Sequence, residues 1–193
     1  MADLRYITGG ADGWLNVKRE PAQNIIALPG TLKVDVTSNK NGRDYFTALE
    51  GVEKGKNFSV KEGYLSRVSP NYRSAASLSF SVSNEILEYP YGKIHAFTDD
   101  INPIPVGIHN IQIPDFPHDG GLGYTVQSPF AKNWFYLGTG NAVPGNNDRY
   151  LHPGRGTLGC ITVDPTKWTE LYEYLIRCRS GDGKTVGRVT VTR

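Results

Sequence analysis

The feature that most constrains this chain is the regular interruption of its β-prone runs by turn residues. In the first 70 or so positions, Gly9-Gly10, Asp12-Gly13, Pro29-Gly30, Asn39 to Gly42 and Glu62-Gly63 recur at short intervals. Such residues supply the positive or pre-set φ that tight turns require. Between them, Arg5 to Thr8, Trp14 to Val17, Asn24 to Leu28, Thr31 to Val36, Tyr45 to Leu49 and Asn57 to Val60 read as strands. Short strands so spaced predict a small β-barrel.

The polar, proline-containing stretch Ser69 to Ala75 reads as a join between domains, 1–72 and 76–193. Beyond it, Leu78, Phe80 and Val82 alternate with serines, the pattern of a strand with one buried face. Ile86 to Tyr89 and Lys93 to Phe97 continue it as antiparallel neighbours. His109 shares a face with Ile111 and Ile113, which predicts a packed histidine, and Asp99-Asp100 reads as a solvated turn before Asn102-Pro103. Residues 114–130 are rich in proline and glycine; a loop this long in a compact domain is a candidate lid. Asn133 to Leu137 reads as a buried strand, and Gly138 to Asp148 as a polar loop. Asp164-Pro165 supplies a helix N-cap and first-turn proline. Trp168, Leu171, Tyr172, Leu175 and Cys178 then form one apolar stripe at helical spacing, and Val189 and Val191 mark a closing strand. The expected class is mainly β, with one helix in the second half.

Chemistry concentrates in Tyr150 to Val163, where His152 precedes Cys160 by eight residues in a glycine-laced loop leading into the β-prone run Ile161 to Val163. A thiol becomes a good nucleophile when a neighbour draws off its proton, and an imidazole can do so. Gly159 lacks the Cβ that would keep a substrate carbonyl from the main-chain amides beside the thiol. Thr157 adds a hydroxyl. The opposing reading makes Cys160 a core thiol and His152 a turn residue. Cys178, in the helical stripe, reads as a small core hydrophobe.

At these residues the chain resembles the L,D-transpeptidases. Thr157-Leu158-Gly159-Cys160-Ile161 resembles their [Ser/Thr]-x-Gly-Cys-aliphatic signature, and His152-Pro153-Gly154 stands where they carry a histidine followed by small residues. Ile104-Pro105-Val106-Gly107-Ile108-His109-Asn110-Ile111 resembles the strand that precedes their catalytic loop. Leu158 stands where the cell-wall enzymes usually have His, and Thr162 where they have Arg. The short spacing from His152 to Cys160 resembles a compact branch that includes secreted antibacterial effectors. Leu15 to Pro21, Ile25 to Gly30 and Gly63-Tyr64-Leu65 resemble a bacterial Src-homology-3-like domain, a module that holds wall peptides. Trp14, Tyr45 and Tyr64 are the candidates for such a groove, or simply fill the barrel.

The resemblance implies a β-sandwich catalytic domain after the barrel and acyl transfer on peptidoglycan stem peptides in the periplasm or cell wall. In that mechanism Cys160 is the nucleophile, His152 its base, and main-chain amides at Gly159 and Cys160 the oxyanion donors, with Thr157 orienting. Tyr150, Gly154, Arg155 and His118 are the candidates for holding substrate, and His118 is the second choice of base. A papain-like wall amidase fits less well, because there the cysteine precedes the histidine and opens a helix. A non-catalytic wall-binding protein is the reading from another class.

Other functions find little support. Twenty-one Lys and Arg against nineteen Asp and Glu leave a formal charge of +2, without the basic patch that nucleic acid demands. The histidines lack zinc-signature spacing, so neither metal nor cofactor is expected. No apolar run reaches membrane-span length. The first residues lack a basic region followed by an apolar one, so export is expected by another route or after removal of a leader. Two cysteines do not make a disulfide framework.

Overall fold

The structure, a computed structural model, describes residues 2–140 and 147–193. It is mainly β, with two sheets, one of them nearly barrel-shaped, and a single short α-helix late in the chain.

The first sheet holds β1 (Leu4–Ile7), β2 (Trp14–Arg19), β3 (Ile25–Pro29), β4 (Lys33–Lys40), β5 (Arg43–Ala48), β6 (Asn57–Lys61) and the short β7 (Leu65–Ser66), in the order β3-β2-β6-β5-β4-β1-β7. Six of these strands fall on the runs predicted from the turn residues, while β7, only two residues long, has no alternation to betray it. Inward-facing Val17, Leu28, Val34, Phe46 and Phe58 fill its interior. Trp14 is buried as well, whereas Tyr64 is exposed and lines a shallow groove with Val17, Ile25 and Lys61.

The second sheet runs from β8 (Ala76–Ser81), β9 (Ile86–Tyr89), β10 (Gly92–Phe97) and β11 (Gly107–Gln112) to β12 (Phe135–Thr139), β13 (Asp148–Pro153), β14 (Ile161–Val163) and β15 (Thr185–Thr192). Its order is β11-β15-β8-β9-β10-β14-β13-β12, and its edge strands β11 and β12 lie close together. The loop expected over 138–148 is shorter, because Gly138 and Thr139 extend β12; residues 141–146 of it lie outside the described residues. His109 packs beside Ile111 as predicted, its Nε2 2.6 Å from the Pro105 carbonyl. The Asp99 carboxylate takes the amides of Ile101 and Asn102 at 2.7 Å, closing the expected turn.

Asp164 caps the helical segment by accepting the Thr166 amide at 2.9 Å. The first turn is 3₁₀ (Pro165–Lys167), and α1 is Trp168–Leu175. Trp168, Leu171 and Leu175 of its stripe are fully buried and join the core shared by both sheets.

The sheets are tied by polar contacts. Arg179 donates to Glu50 at 3.1 Å, both side chains being buried, and also to the Thr31 carbonyl at 3.1 Å. Tyr72 donates its hydroxyl to the same carbonyl and its ring lies 4.6 Å beneath the Arg179 guanidinium. A charge pair removed from water in this way is held by good geometry on both sides.

Candidate functional site

The stretch carrying His152 and Cys160 is not simply a loop entering a strand. His152 lies within β13, and the chain then doubles back through residues 154–160 so that β14 runs parallel to β13. Reversing direction twice within seven residues explains the density of glycine there. Gly156 has open space around it and a Cβ on Gly154 would press on Thr162 Cγ2 at 3.1 Å, but Gly159 is forced: its φ is +120°, and a Cβ would lie 2.4 Å from the Asn102 carbonyl oxygen and 2.7 Å from the Arg149 guanidinium carbon. The space expected for a substrate carbonyl is thus filled by protein.

Register decides which side chains meet. Leu151 pairs with Ile161 and His152 with Thr162, an offset of ten residues, while His152 and Cys160 are eight apart. His152 therefore faces Thr162, and Cys160 lies two residues back along the same face, about 7 Å by strand rise. The imidazole Nδ1 is 3.0 Å from the Pro153 carbonyl and Nε2 is 3.3 Å from the Thr162 hydroxyl. The Cys160 Sγ accepts the Tyr150 amide hydrogen at 3.3 Å. The two side chains share a face but do not bond to each other in this structure.

Burial governs both groups. It pushes the His152 imidazole down to about 4, against a partial rise from the Pro153 carbonyl, so the ring is neutral at pH 7. It pushes the half-buried Cys160 thiol up, opposed by the Tyr150 amide and by the charge of Arg149. The resting pair is thiol and neutral imidazole.

The long loop 114–130 closes over this strand. Gly121 permits it, since a Cβ there would lie 2.0 Å from the Ala131 carbonyl oxygen, and Gly120 packs flat on Trp134. The result is a column of rings: Phe116 on His118 at 4.3 Å, His118 on Trp134 at 4.5 Å, Trp134 on His152 at 4.3 Å. Asp115 joins the column to β13, with one carboxylate oxygen 2.8 Å from His118 Nε2 and the other accepting the Tyr150 hydroxyl at 3.1 Å. The Arg155 amide donates to the Tyr124 hydroxyl at 3.1 Å, fastening the cysteine loop to the same segment. Thr157 accepts the Gly159 amide at 3.2 Å and donates to the Cys160 carbonyl at 3.3 Å. It braces the loop, and it takes one of the amides expected to serve an oxyanion.

Of the predicted residues, the fold thus gathers Cys160, His152, Gly159, Thr157, Tyr150, Gly154, Arg155 and His118 into one region. It adds three that sequence reasoning passed over: Asp115, Trp134 and Arg149. Asp115 sits three residues before His118, a spacing that could have been read. Arg149 alternates with the buried Leu151 and so belonged to an inward face; it is fully buried, with its guanidinium against Gly140 and Gly159. Cys178 is sealed in the core, donating to the Tyr174 carbonyl at 3.3 Å. Among the described residues, no group of three or more His, Cys, Asp and Glu is placed to hold a metal ion, and no helix is long and apolar enough to cross a membrane.

No protein-family model matches the chain, and no curated protein matches it. Among solved structures, the crystal structure of Mycobacterium tuberculosis L,D-transpeptidase 1 is similar over 78% of this chain and 90% of that one, at 11% identity and a TM-score of 0.36. That likeness assigns no residue a role.

Proposed function

We propose that the protein is a cysteine-dependent acyl-transfer enzyme acting on peptidoglycan stem peptides, with Cys160 as nucleophile and His152 as base. The observation that supports it best is the state of Cys160 itself. The residue is partly open to solvent, and its sulfur rests on a main-chain donor that a thiolate would keep, with an arginine nearby and an imidazole on the same strand face. The substrate class rests on the two sequence motifs. On this reading the segment 76–193 is the catalytic domain and 1–72 a wall-binding, Src-homology-3-like barrel, working in the periplasm or cell wall as an effector of the compact branch.

Because His152 is a weak base, the proton leaves sulfur only as the S–C bond forms, after the ring turns from Thr162 toward Cys160. As His152 takes its proton, the sulfur adds to a stem carbonyl next to a D-amino acid, and the Cys160 amide receives the oxyanion. The imidazolium returns the proton to the departing amine, leaving a thioester. Water then releases a shortened stem; an amine makes a cross-link or exchanges the terminal residue. Tyr150, Gly154, Arg155 and His118 border the reacting carbonyl.

Purified muropeptides incubated with the protein and analysed by mass test this directly, since released D-amino acid, cross-linked dimer and exchanged stem differ in mass. His152→Ala is expected to lower the rate by about 10²- to 10⁴-fold. Full rate in that variant, with loss in His118→Ala, moves the base to the His118–Asp115 pair. The absence of an imidazole–thiol bond favours a second reading, a non-catalytic wall-binding protein; retention of muropeptides with every mass unchanged would select it.

A further inference from the structure

Away from the cysteine loop, a cleft of about 520 Å³ lies between the first sheet and α1. One wall is main chain: the end of β1 through Gly9 and Gly10, with Gly13 and Gly30. The other is α1 and the turn after it, with Tyr172, Ile176 and Arg177, and with Phe130 beside them. The bonds from Arg179 and Tyr72 to Thr31, and from the Thr31 hydroxyl to the Ile176 carbonyl at 2.8 Å, hold the walls at a set distance. The cleft is therefore formed before any ligand arrives, and its size is that of ordinary ligand pockets, roughly 300–1,000 Å³.

Tyr172 marks it as more than a gap. Its ring stacks on Phe130 at 4.3 Å and is only 3% exposed. Its hydroxyl reaches Gly13, where a Cβ would lie 2.5 Å away, and it has no hydrogen-bond partner among the described residues. The hydroxyl oxygen is not sealed and lines the cleft, so it is free to donate to a molecule bound there. Burial holds it protonated, so it is a donor waiting for an acceptor. At the mouth stand Glu173 and Arg177, neither of which forms an ion pair among the described residues.

We infer that this cleft binds a short peptide with free amino and carboxyl ends, one main-chain carbonyl of which accepts the Tyr172 hydroxyl. One acid and one base at the mouth match the two ends of a zwitterion. A phosphorylated ligand would bring at least two negative charges to a mouth with one cation and one carboxylate. The inference does not depend on the chemistry at Cys160.

The test is titration of the full chain with trialanine up to about 10 mM, followed by amide chemical shifts. Saturable shifts at Gly9, Gly10 and Gly13 are expected. Tyr172→Phe should weaken binding about 3- to 10-fold, the size of one hydrogen bond, without lowering the unfolding midpoint. Capping both ends of the peptide, or Arg177→Gln, should weaken it similarly. No saturable shifts at those glycines, or equal affinity for Tyr172→Phe, overturns the inference. So does a Tyr172→Phe variant that binds normally but unfolds more easily, which would give the hydroxyl an internal acceptor: the Asn133 Oδ1 that also faces Gly13 unbonded.

Discussion

The two thiols of this chain share one property and differ in another. Burial raises both above the ordinary thiol range. Yet Cys178, at the end of the helical stripe, is fully covered and donates its proton to the Tyr174 carbonyl, a bond that only the neutral thiol can make. Cys160 is partly open and accepts a hydrogen from the Tyr150 amide, a bond that a thiolate strengthens. The direction of one hydrogen bond, more than depth, separates a packing atom from a candidate nucleophile.

Truncating each cysteine to alanine would break the comparison at its widest point. Cys160→Ala should lower muropeptide turnover by more than about 10³-fold with the fold intact. Cys178→Ala should leave turnover within about twofold and cost about 1 kcal/mol in denaturant unfolding, from the small cavity left in the core. Equal loss of turnover in both would erase the distinction.

The imidazole offers the next largest effect, through pH. Unfolded, His152 takes a proton near 6.5; folded, it resists until about 4. Above 6.5 neither state is protonated and stability is unaffected. As pH falls from there toward 4 the unfolded chain gains a proton that the folded one refuses, so stability is lost, by about 3 kcal/mol in all. The lowered carboxylates Asp164 and Asp182 act below that window, since their unfolded values lie near 3.8. Unfolding curves between pH 7 and 4 should therefore slope downward with acid, and His152→Gln should flatten them. An unchanged slope in the variant would mean that the ring is not buried neutral.

How much of this was legible beforehand follows the physics of each feature. Turn residues act locally, so most of the first sheet could be read from Gly13, Gly30 or Gly63, and Asp164 announced its helix by the same local logic. The column from Phe116 to His152 joins segments 36 residues apart in sequence, and no short-range pattern encodes that. Register failed for a related reason. A spacing of eight suggested that His152 meets Cys160 directly, but a parallel pair with an offset of ten sets it opposite Thr162, with Cys160 two residues back on the same face. Gly159 was singled out because its missing Cβ would admit a substrate carbonyl, yet that space is taken by Asn102 and Arg149, from distant positions.

Arg149 gives the smallest and sharpest probe of the difference between the thiols. It is fully buried against the residue preceding Cys160, and its charge lowers that thiol's pKa while burial raises it. Arg149→Met keeps much of the side-chain volume and removes the charge. The pH midpoint for iodoacetamide labelling of Cys160, already above the ordinary thiol value of about 8.5, should then rise further. Arg149→Lys should recover part of that shift, because the charge returns without the planar fork that lies between Gly140 and Gly159. Labelling of Cys178 should stay negligible in all three folded proteins, being limited by access and not by charge. A midpoint that stays put in Arg149→Met would leave the Tyr150 amide as the sole group favouring the Cys160 thiolate.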